Sequence, residues 1–468
     1  MTMKVVAREE PAIYKVLMEQ AIVHRLGDVV SKLVDGSHNP PAKCETGQPM
    51  LSARNIENGS INFDEFRFIS SEAFALEDRR TRVTPGDVLL TIVGTIGRAA
   101  VVPHTAAPFA LQRSVAVLTP TKLLPKYLAY QLQAPDVQRY FERNARGTAQ
   151  KGVYLKTLSN TPVLVPSREV QQRTVAYLDE QLSRLDASVA ALHRVQANLK
   201  RYRASVLKSA CEGRLVPTEA ELARQEGRPF ETGAQLLQSI LAERRARPVG
   251  RGKYKEPSAP EANRLCDSPE GWVWSNVDQL AEVGTGATPK RDTPAFYEGG
   301  HIAWVTSGVV NGEYVDRASE FVTERALTET NLTIYPPGTL LLAMYGEGKT
   351  RGRCSELRIA ATTNQALAAI QATEPVRRYL RLLLERSYEE TRKAASGGVQ
   401  PNLNLSLVRA IAVPLPPLAE QHRIVAEADR RLSLVRVAEA QVSANLARAQ
   451  RLRQSILQAA FSRPVQTA

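Results

Sequence analysis

Sliding the second half of the chain over the first by 250 residues, the distance from Pro166 to Pro416, aligns far more than that one pair. Gln171 falls on Gln421, Arg173 on Arg423, Val175 on Val425, Leu182 on Leu432, and Ser205-Val206-Leu207 on Ser455-Ile456-Leu457. Upstream the register drifts by a few residues, as loop insertions make it do, but the landmarks persist. Leu26-Gly27-Asp28 through Asp35-Gly36-Ser37 matches Val277-Asp278-Gln279 through Gly284-Thr285-Gly286. Pro85-Gly86-Asp87-Val88-Leu89-Leu90 returns as Pro337-Gly338-Thr339-Leu340-Leu341-Leu342, and Gln112 returns as Gln365. A repeat of this length limits the fold to two copies of one plan, each a mixed module of about 140 residues followed by a long helical segment.

The helical segments are legible from spacing. From Arg168 to Cys211, Leu178, Leu182, Leu185, Val189, Leu192, Leu199 and Val206 recur at steps of three and four, on one stripe of a helix. Ala428, Leu432, Val435, Val442, Ala449 and Ile456 form the matching stripe in the second copy. Neither segment contains Pro or Gly, and each would run about 60 Å. A helix that long needs a partner in water, and a coiled coil with the other copy is the expected solution, with Gln196, Glu439 and Arg453 interrupting its seam. The alternative is two amphipathic helices, each lying on its own domain.

Within each module a Pro-Gly turn leads into an apolar run, Val88–Val93 or Thr339–Met344, which predicts strands, and short helices fit Lys126–Asn144 and Pro375–Ala395. The expected order is an N-terminal helical segment over 1–23, a first module over 24–167, and a central long helix over 168–211. A connector with a short helix near Ala234–Arg245 and a basic stretch follows over 212–271, then a second module over 272–417 and a C-terminal long helix and tail over 418–468. The fold class expected is mixed α/β, with two globular domains separated by the two long helices.

Lys and Arg number 61 against 48 Asp and Glu, a formal charge of +13, which favours a polyanionic partner, nucleic acid before an anionic membrane. At 43% hydrophobic and 23% charged the chain suits a soluble globular protein, and no apolar run approaches the roughly 18 residues that span a bilayer. A cytoplasmic location is expected. Cys44, Cys211, Cys266 and Cys354 lie far apart, without the C-x-x-C spacing of a zinc site.

Three stretches imitate catalytic motifs. Asn39-Pro40-Pro41-Ala42 resembles the Asn-Pro-Pro-aromatic loop of amino-methyltransferases, but Ala42 offers no ring to stack on a base, and no glycine-rich cofactor loop follows a strand. Ala343–Thr350 ends in Gly-Lys-Thr like a P-loop, yet Ala343 stands where the first Gly is required and no helical pattern follows. His24, His38, His104, His193, His301 and His422 are scattered. The chain reads as non-catalytic, with no cofactor or metal of its own.

The arrangement resembles the specificity subunit of Type I restriction-modification systems. The residues that carry the resemblance are Pro85–Leu90 with Gly94-Thr95-Ile96-Gly97, and Leu158 through Pro162–Pro166 leading into Gln171. In the second copy they are Gly271-Trp272-Val273-Trp274, Asn402-Leu403 through Val413–Pro417, and Glu420-Gln421. The resemblance implies two target-recognition domains, each reading half of a bipartite, asymmetric site on double-stranded DNA, held apart by an antiparallel pair of helices that sets the gap. It also implies two modification subunits that transfer a methyl group from S-adenosylmethionine to adenine, and restriction subunits that use ATP and Mg. The first module departs from the pattern, with His24-Arg25 where the second has its Trp, and exits through Pro166-Ser167-Arg168-Glu169-Val170-Gln171. A competing reading is a non-catalytic coiled-coil scaffold with non-specific nucleic-acid binding.

DNA contact needs cations for phosphate and bidentate donors for bases, so polar loop residues are the candidates. In the first module these are Ser37, His38, Arg54, Asn55, Thr95, Arg98, Arg146, Thr148 and Lys151. In the second they are Thr288, Lys290, Arg291, Ser307, Tyr345, Lys349, Arg351, Ser396 and Gln400. Arg146–Lys151 and Ser396–Gln400 stand out because glycine lets backbone approach a phosphate.

Overall fold

The computed structural model describes residues 21–57, 59–147, 150–246, 256–260, 267–318, 320–345, 350–394 and 403–462. The chain divides into two compact units, Met1–Arg194 with Val442–Ala468, and Val195–Gln441.

The first unit runs through β1 (Ile22–Arg25), β2 (Val30–Asp35), β3 (Gln48–Leu51), β4 (Ile56–Glu57), β5 (Ser60–Ile61), β6 (Arg67–Ile69), α1 (Ser71–Thr81) and β7 (Val88–Thr91). It continues through β8 (Ala99–Val101), β9 (Ala110–Leu111), β10 (Val115–Pro120), α2 (Pro125–Leu132), α3 (Pro135–Asn144), α4 (Leu155–Ser159) and β11 (Pro162–Val165) into the long helix α5 (Arg168–Cys211). An antiparallel sheet, β2-β10-β7-β8, lies at its centre beside a three-stranded sheet, β6-β3-β9. Val88, Leu90, Ala116 and Leu118 pack on Tyr127, Leu128 and Phe141, while Leu89 and Val117 pack the other way on Leu51, Ile56 and Leu111. Because both faces are buried, β7 reads as an unbroken apolar run instead of an alternation. The stretch Lys126–Asn144 divides into two helices at Pro135, whose ring and missing N–H end the first one.

In the second unit α6 (Glu219–Glu226) and α7 (Gly233–Ala246) precede β12 (Val273–Asn276), α8 (Val277–Leu280), β13 (Glu282–Thr285), β14 (Ile302–Val305), β15 (Tyr314–Val315), β16 (Glu320–Val322) and α9 (Glu324–Glu329). Then come β17 (Leu340–Ala343), β18 (Cys354–Leu357), β19 (Thr362–Thr363), β20 (Leu367–Gln371), α10 (Val376–Ala394), α11 (Leu405–Arg409), β21 (Ala412–Leu415) and the long helix α12 (Leu418–Phe461). The central sheet is β13-β20-β17-β18-β15, beside β16-β14-β19.

The sheet frameworks repeat: β2-β10-β7-β8 corresponds to β13-β20-β17-β18 and β6-β3-β9 to β16-β14-β19, while β15 extends the second central sheet and β4 pairs with β5 only in the first. Leu90 and Asp35 both face Ala116; Leu342 and Thr285 both face Ala368. Gly36 therefore corresponds to Gly286, one residue away from the alignment that sets Ser37 against Gly286. Likewise Leu111 bridges Leu51 as Thr363 bridges Val305, so the counterpart of Gln112 is Asn364, and Gln365 corresponds to Arg113. The repeated Pro…Gln spacing has a physical cause. The buried Gln171 side chain donates through Nε2 to Pro166 O at 3.0 Å, and Gln421 does the same to Pro416 O at 2.9 Å, which ties each long helix to the strand it leaves.

Each unit contains part of both long helices. In the first, Leu178 and Leu182 share a core with Leu457, Ala460 and Phe461, while Asp186 pairs with Arg453 at 2.7 Å. Contact positions that rise on one segment fall on the other, the antiparallel sense, and the same core joins the segments to the domain. In the second, Val206, Leu207, Ala210 and Cys211 share a core with Ile424, Val425, Ala428 and Leu432. Along the expected stripe Leu178, Leu182, Val206, Leu432, Val435 and Val442 are buried, but Leu185, Val189, Leu192, Leu199 and Ile456 are only half-buried. Beside Ile456, Leu457, Ala460 and Phe461 are buried at the end of α12.

The connector's described residues belong to the second unit. Thr218 and Glu221 form a capping box at the start of α6, whose first turn sits on α12. There Glu420, buried, accepts from the Glu219 backbone N–H at 2.9 Å and from Trp272 Nε1 at 3.0 Å, and burial raises its carboxyl pKa. The Glu219 side chain is held by Arg228 and Arg423, each at 2.7 Å. Glu420→Ala leaves two buried donors without acceptors and is expected to destabilise this unit by about 2–3 kcal/mol in denaturant unfolding, with Glu420→Gln costing markedly less. The basic stretch 247–255, residues 1–20 and Cys266 lie outside the described residues. Among the described residues no helix is long and apolar enough to cross a membrane.

Candidate nucleic-acid interface

In the first unit the turns after β3, β7 and β9 converge on a cavity of about 920 Å³. Lys43, Arg54, Arg67, Arg98 and Arg113 line it together with Thr95, Gln112, Ser114 and Gln150, against two carboxylates, Glu57 and Glu65. Lys43, Arg54 and Arg113 are exposed, and none of them joins an ion pair among the described residues. Arg67 is anchored on Pro41 O at 3.2 Å, and Arg98 on Glu57 Oε1 at 3.1 Å. An open groove with this excess of cations can neutralise phosphates, and its Gln and Arg side chains carry the donors that read base edges.

The backbone explains where these groups stand. Gly97, at φ +90°, turns the chain so that its N–H reaches Thr91 O at 2.8 Å while the Thr91 N–H reaches Arg98 O at 2.8 Å. In the second unit Gly352, at φ +80°, donates to Ala343 O at 2.7 Å, and Ala343 donates to Arg353 O at 2.9 Å. Arg353 is thus the counterpart of Arg98; the shared Gly-Arg dipeptide was the available signal. Arg353 Nη1 donates to Asn311 O at 2.8 Å, and its guanidinium lies 5.9 Å from the Tyr388 ring centre.

Of the sequence candidates, the structure gathers Arg54, Asn55, Thr95 and Arg98 at the cavity and leaves Arg146 and Lys151 exposed near it, on the chain flanking Gln150. Two of them are committed to the fold. Asn55 is 4% exposed and closes a capping box with Ser52, while its Nδ2 donates to Asn62 O and Glu65 O. Ser37 is also 4% exposed, its hydroxyl donating to Glu77 at 2.8 Å. Both are loop residues by composition, yet each satisfies buried backbone or carboxylate groups, the usual fate of a buried polar side chain. His38 is held 2.7 Å from Asp35.

In the second unit Thr288 is exposed and donates to Gln365 Oε1, and Lys290 and Tyr345 are also exposed. Arg291 is exposed too but bound in place: its guanidinium lies 5.1 Å from Tyr297 and 5.0 Å from Trp304, and its hydrogen bond to Glu320 raises its pKa further. Ser307 and Arg351 are half-buried. Thr148, Lys349, Ser396 and Gln400 lie outside the described residues. The pattern missed Lys43, Arg67 and Arg113, which are adjacent only in space. Among the described residues no group of three or more His, Cys, Asp or Glu is placed to hold a metal ion.

A sequence model of the family described as Type I restriction modification DNA specificity domain matches residues 19–198 and 269–429. The Type I restriction enzyme EcoBI specificity subunit of Escherichia coli is 27% identical over 243 residues, 50% of this chain and 50% of that one. This chain thus aligns with about half the length of that relative. The EcoDI specificity subunit of the same organism is 25% identical over 382 residues, 80% of this chain and 78% of the other. A chain solved in work on complex assembly and conformational transition of the type I R-M system has the same fold, with a TM-score of 0.58 at 18% identity, over 94% of this chain and 97% of that one. The family match falls on both copies of the repeat and on most of the sequence, and the chain belongs to the Type I restriction-modification DNA specificity domain family.

Proposed function

We propose that the chain is the DNA-recognition subunit of a Type I restriction-modification complex in the cytoplasm. Each unit reads one half of a bipartite, asymmetric site on double-stranded DNA, and the long helices set the gap and dock two modification subunits. Methyl transfer from S-adenosylmethionine, and any ATP- and Mg-dependent cleavage by restriction subunits, take place on those partners. The observation that carries this reading is that one sheet framework occurs twice in the same register, while the side chains at the equivalent turns differ, as two readers of different sequence require. The charge of +13 suits the polyanion. Leu434 and Val437, 60% and 69% exposed on α12, suit a docked subunit, since such side chains clustered on a helix mark an interaction face.

The test is replacement of residues 24–167 by the matching module of a related chain, co-expressed with the modification subunit in a methylation-free host. Modified-base sequencing should then show an adenine-methylated, two-part motif in which one half has changed and the other has not. A change in both halves, or in neither, counts against modular reading and for the scaffold.

A further inference from the structure

The duplication allows one position to be compared in two settings. Glu57 follows Ile56, which ends the short helix Ala53–Asn55; Asn311 follows Val310, which ends the short helix Ser307–Val309. The parallel bridges of Leu51 and Val305 fix this correspondence. Each residue meets the arginine behind the left-handed glycine: Arg98 Nη1 lies 3.1 Å from Glu57 Oε1 and 3.4 Å from Ile56 O, and Arg353 Nη1 lies 2.8 Å from Asn311 O. The cation is constant and its neighbour varies.

The Glu57–Arg98 pair is open, with side chains 52% and 41% exposed, so it contributes little to stability. A carboxylate in a cation-lined groove is repelled by phosphate; what it can gain there is a hydrogen-bond donor. The donors that bases present in the major groove are the exocyclic amines, cytosine N4 and adenine N6. At the same position Asn311 is exposed, and its Nδ2 donates to Gly308 O, which leaves Oδ1 as a neutral acceptor.

We infer that the position held by Glu57 and Asn311 is a specificity-determining position in both units. Glu57 accepts from an exocyclic base amine in one half-site, and Asn311 makes the uncharged version of that contact in the other. This rests on the DNA-recognition reading above. The test is selection from a duplex library with randomised positions by the complex of the full chain with its modification subunits.

Glu57→Ala should relax one position of one half-motif, with discrimination there falling about tenfold or more, and leave the other half untouched. Asn311→Ala should do the converse, and Glu57→Gln, which keeps an acceptor, should retain part of the discrimination. Both residues are solvent-exposed, and thermal melting verifies that the variants stay folded. Unchanged motifs from both Ala variants, or uniformly weaker binding to every sequence, overturn the inference and leave DNA recognition standing. No motif from the unsubstituted complex overturns both.

Discussion

Gly286→Ala is expected to cost the second unit about 3 kcal/mol or more, enough to unfold its central sheet under mild denaturant. A Cβ at this position would stand 1.6 Å from Thr363 O, and the obstacle is backbone of β19, not a flexible side-chain end. To restore van der Waals distance, the end of β13 must leave β20 or β19 must leave β14, and either movement breaks a ladder. Gly36→Ala should behave alike in the first unit, where the new carbon would meet Leu111 O at 2.2 Å and Gln112 O at 2.4 Å. Gly308→Ala is the control: only Thr306 Oγ1 lies near, at 3.6 Å, and the change should stay within about 0.5 kcal/mol. Denaturant unfolding followed on each variant checks this. Stability of Gly286→Ala close to that of the unsubstituted chain would mean that the strands do not cross so closely. The effect should extend to binding, because β13 leads directly into the turn that bears Thr288 and Lys290.

These glycines mark how far the sequence could be read. The repeat, the Pro-Gly strands and the Pro…Gln exits were legible because each is set by local chemistry: a turn, an apolar run, a side chain returning to a nearby carbonyl. Register across loops was not, since an insertion leaves no trace in a polar segment; hence Ser37 was set against Gly286 and Gln112 against Gln365, each one residue out. The turn between β7 and β8 is shorter than that between β17 and β18, and Arg353, the counterpart of Arg98, was not among the candidates although Arg351 beside it was. The burial of Asn55 and Ser37 was illegible for another reason. Asn and Ser in a loop look alike whether they face solvent or close a capping box, and only the buried groups around them decide. Lys43, Arg67 and Arg113 come from the loop before β3, from β6 and from the turn after β9, and their convergence is a property of the sheet that no spacing encodes.

Replacing Lys43, Arg54 and Arg113 by alanine should weaken DNA binding by the first unit almost equally for every sequence. Each lost phosphate contact reduces the slope of log K against log salt by about 0.9, so the triple variant should lose nearly 3 from that slope. Over a fourfold rise in salt, this amounts to about 40-fold less loss of affinity than in the unsubstituted complex. The recognised motif should persist, because cations that bind phosphate position the protein without reading bases. Gln112→Ala supplies the contrast: the salt slope should stay the same, while preference at a base pair in one half-site weakens. Titrations at several salt concentrations, with matched and scrambled duplexes, separate the two effects. An unchanged slope in the triple variant would remove the cavity from the phosphate path and shift attention to the exposed Arg146 and Lys151. A slope change with loss of the motif would mean that these cations touch bases themselves, a division of labour opposite to the one that their exposure and lack of carboxylate partners implies.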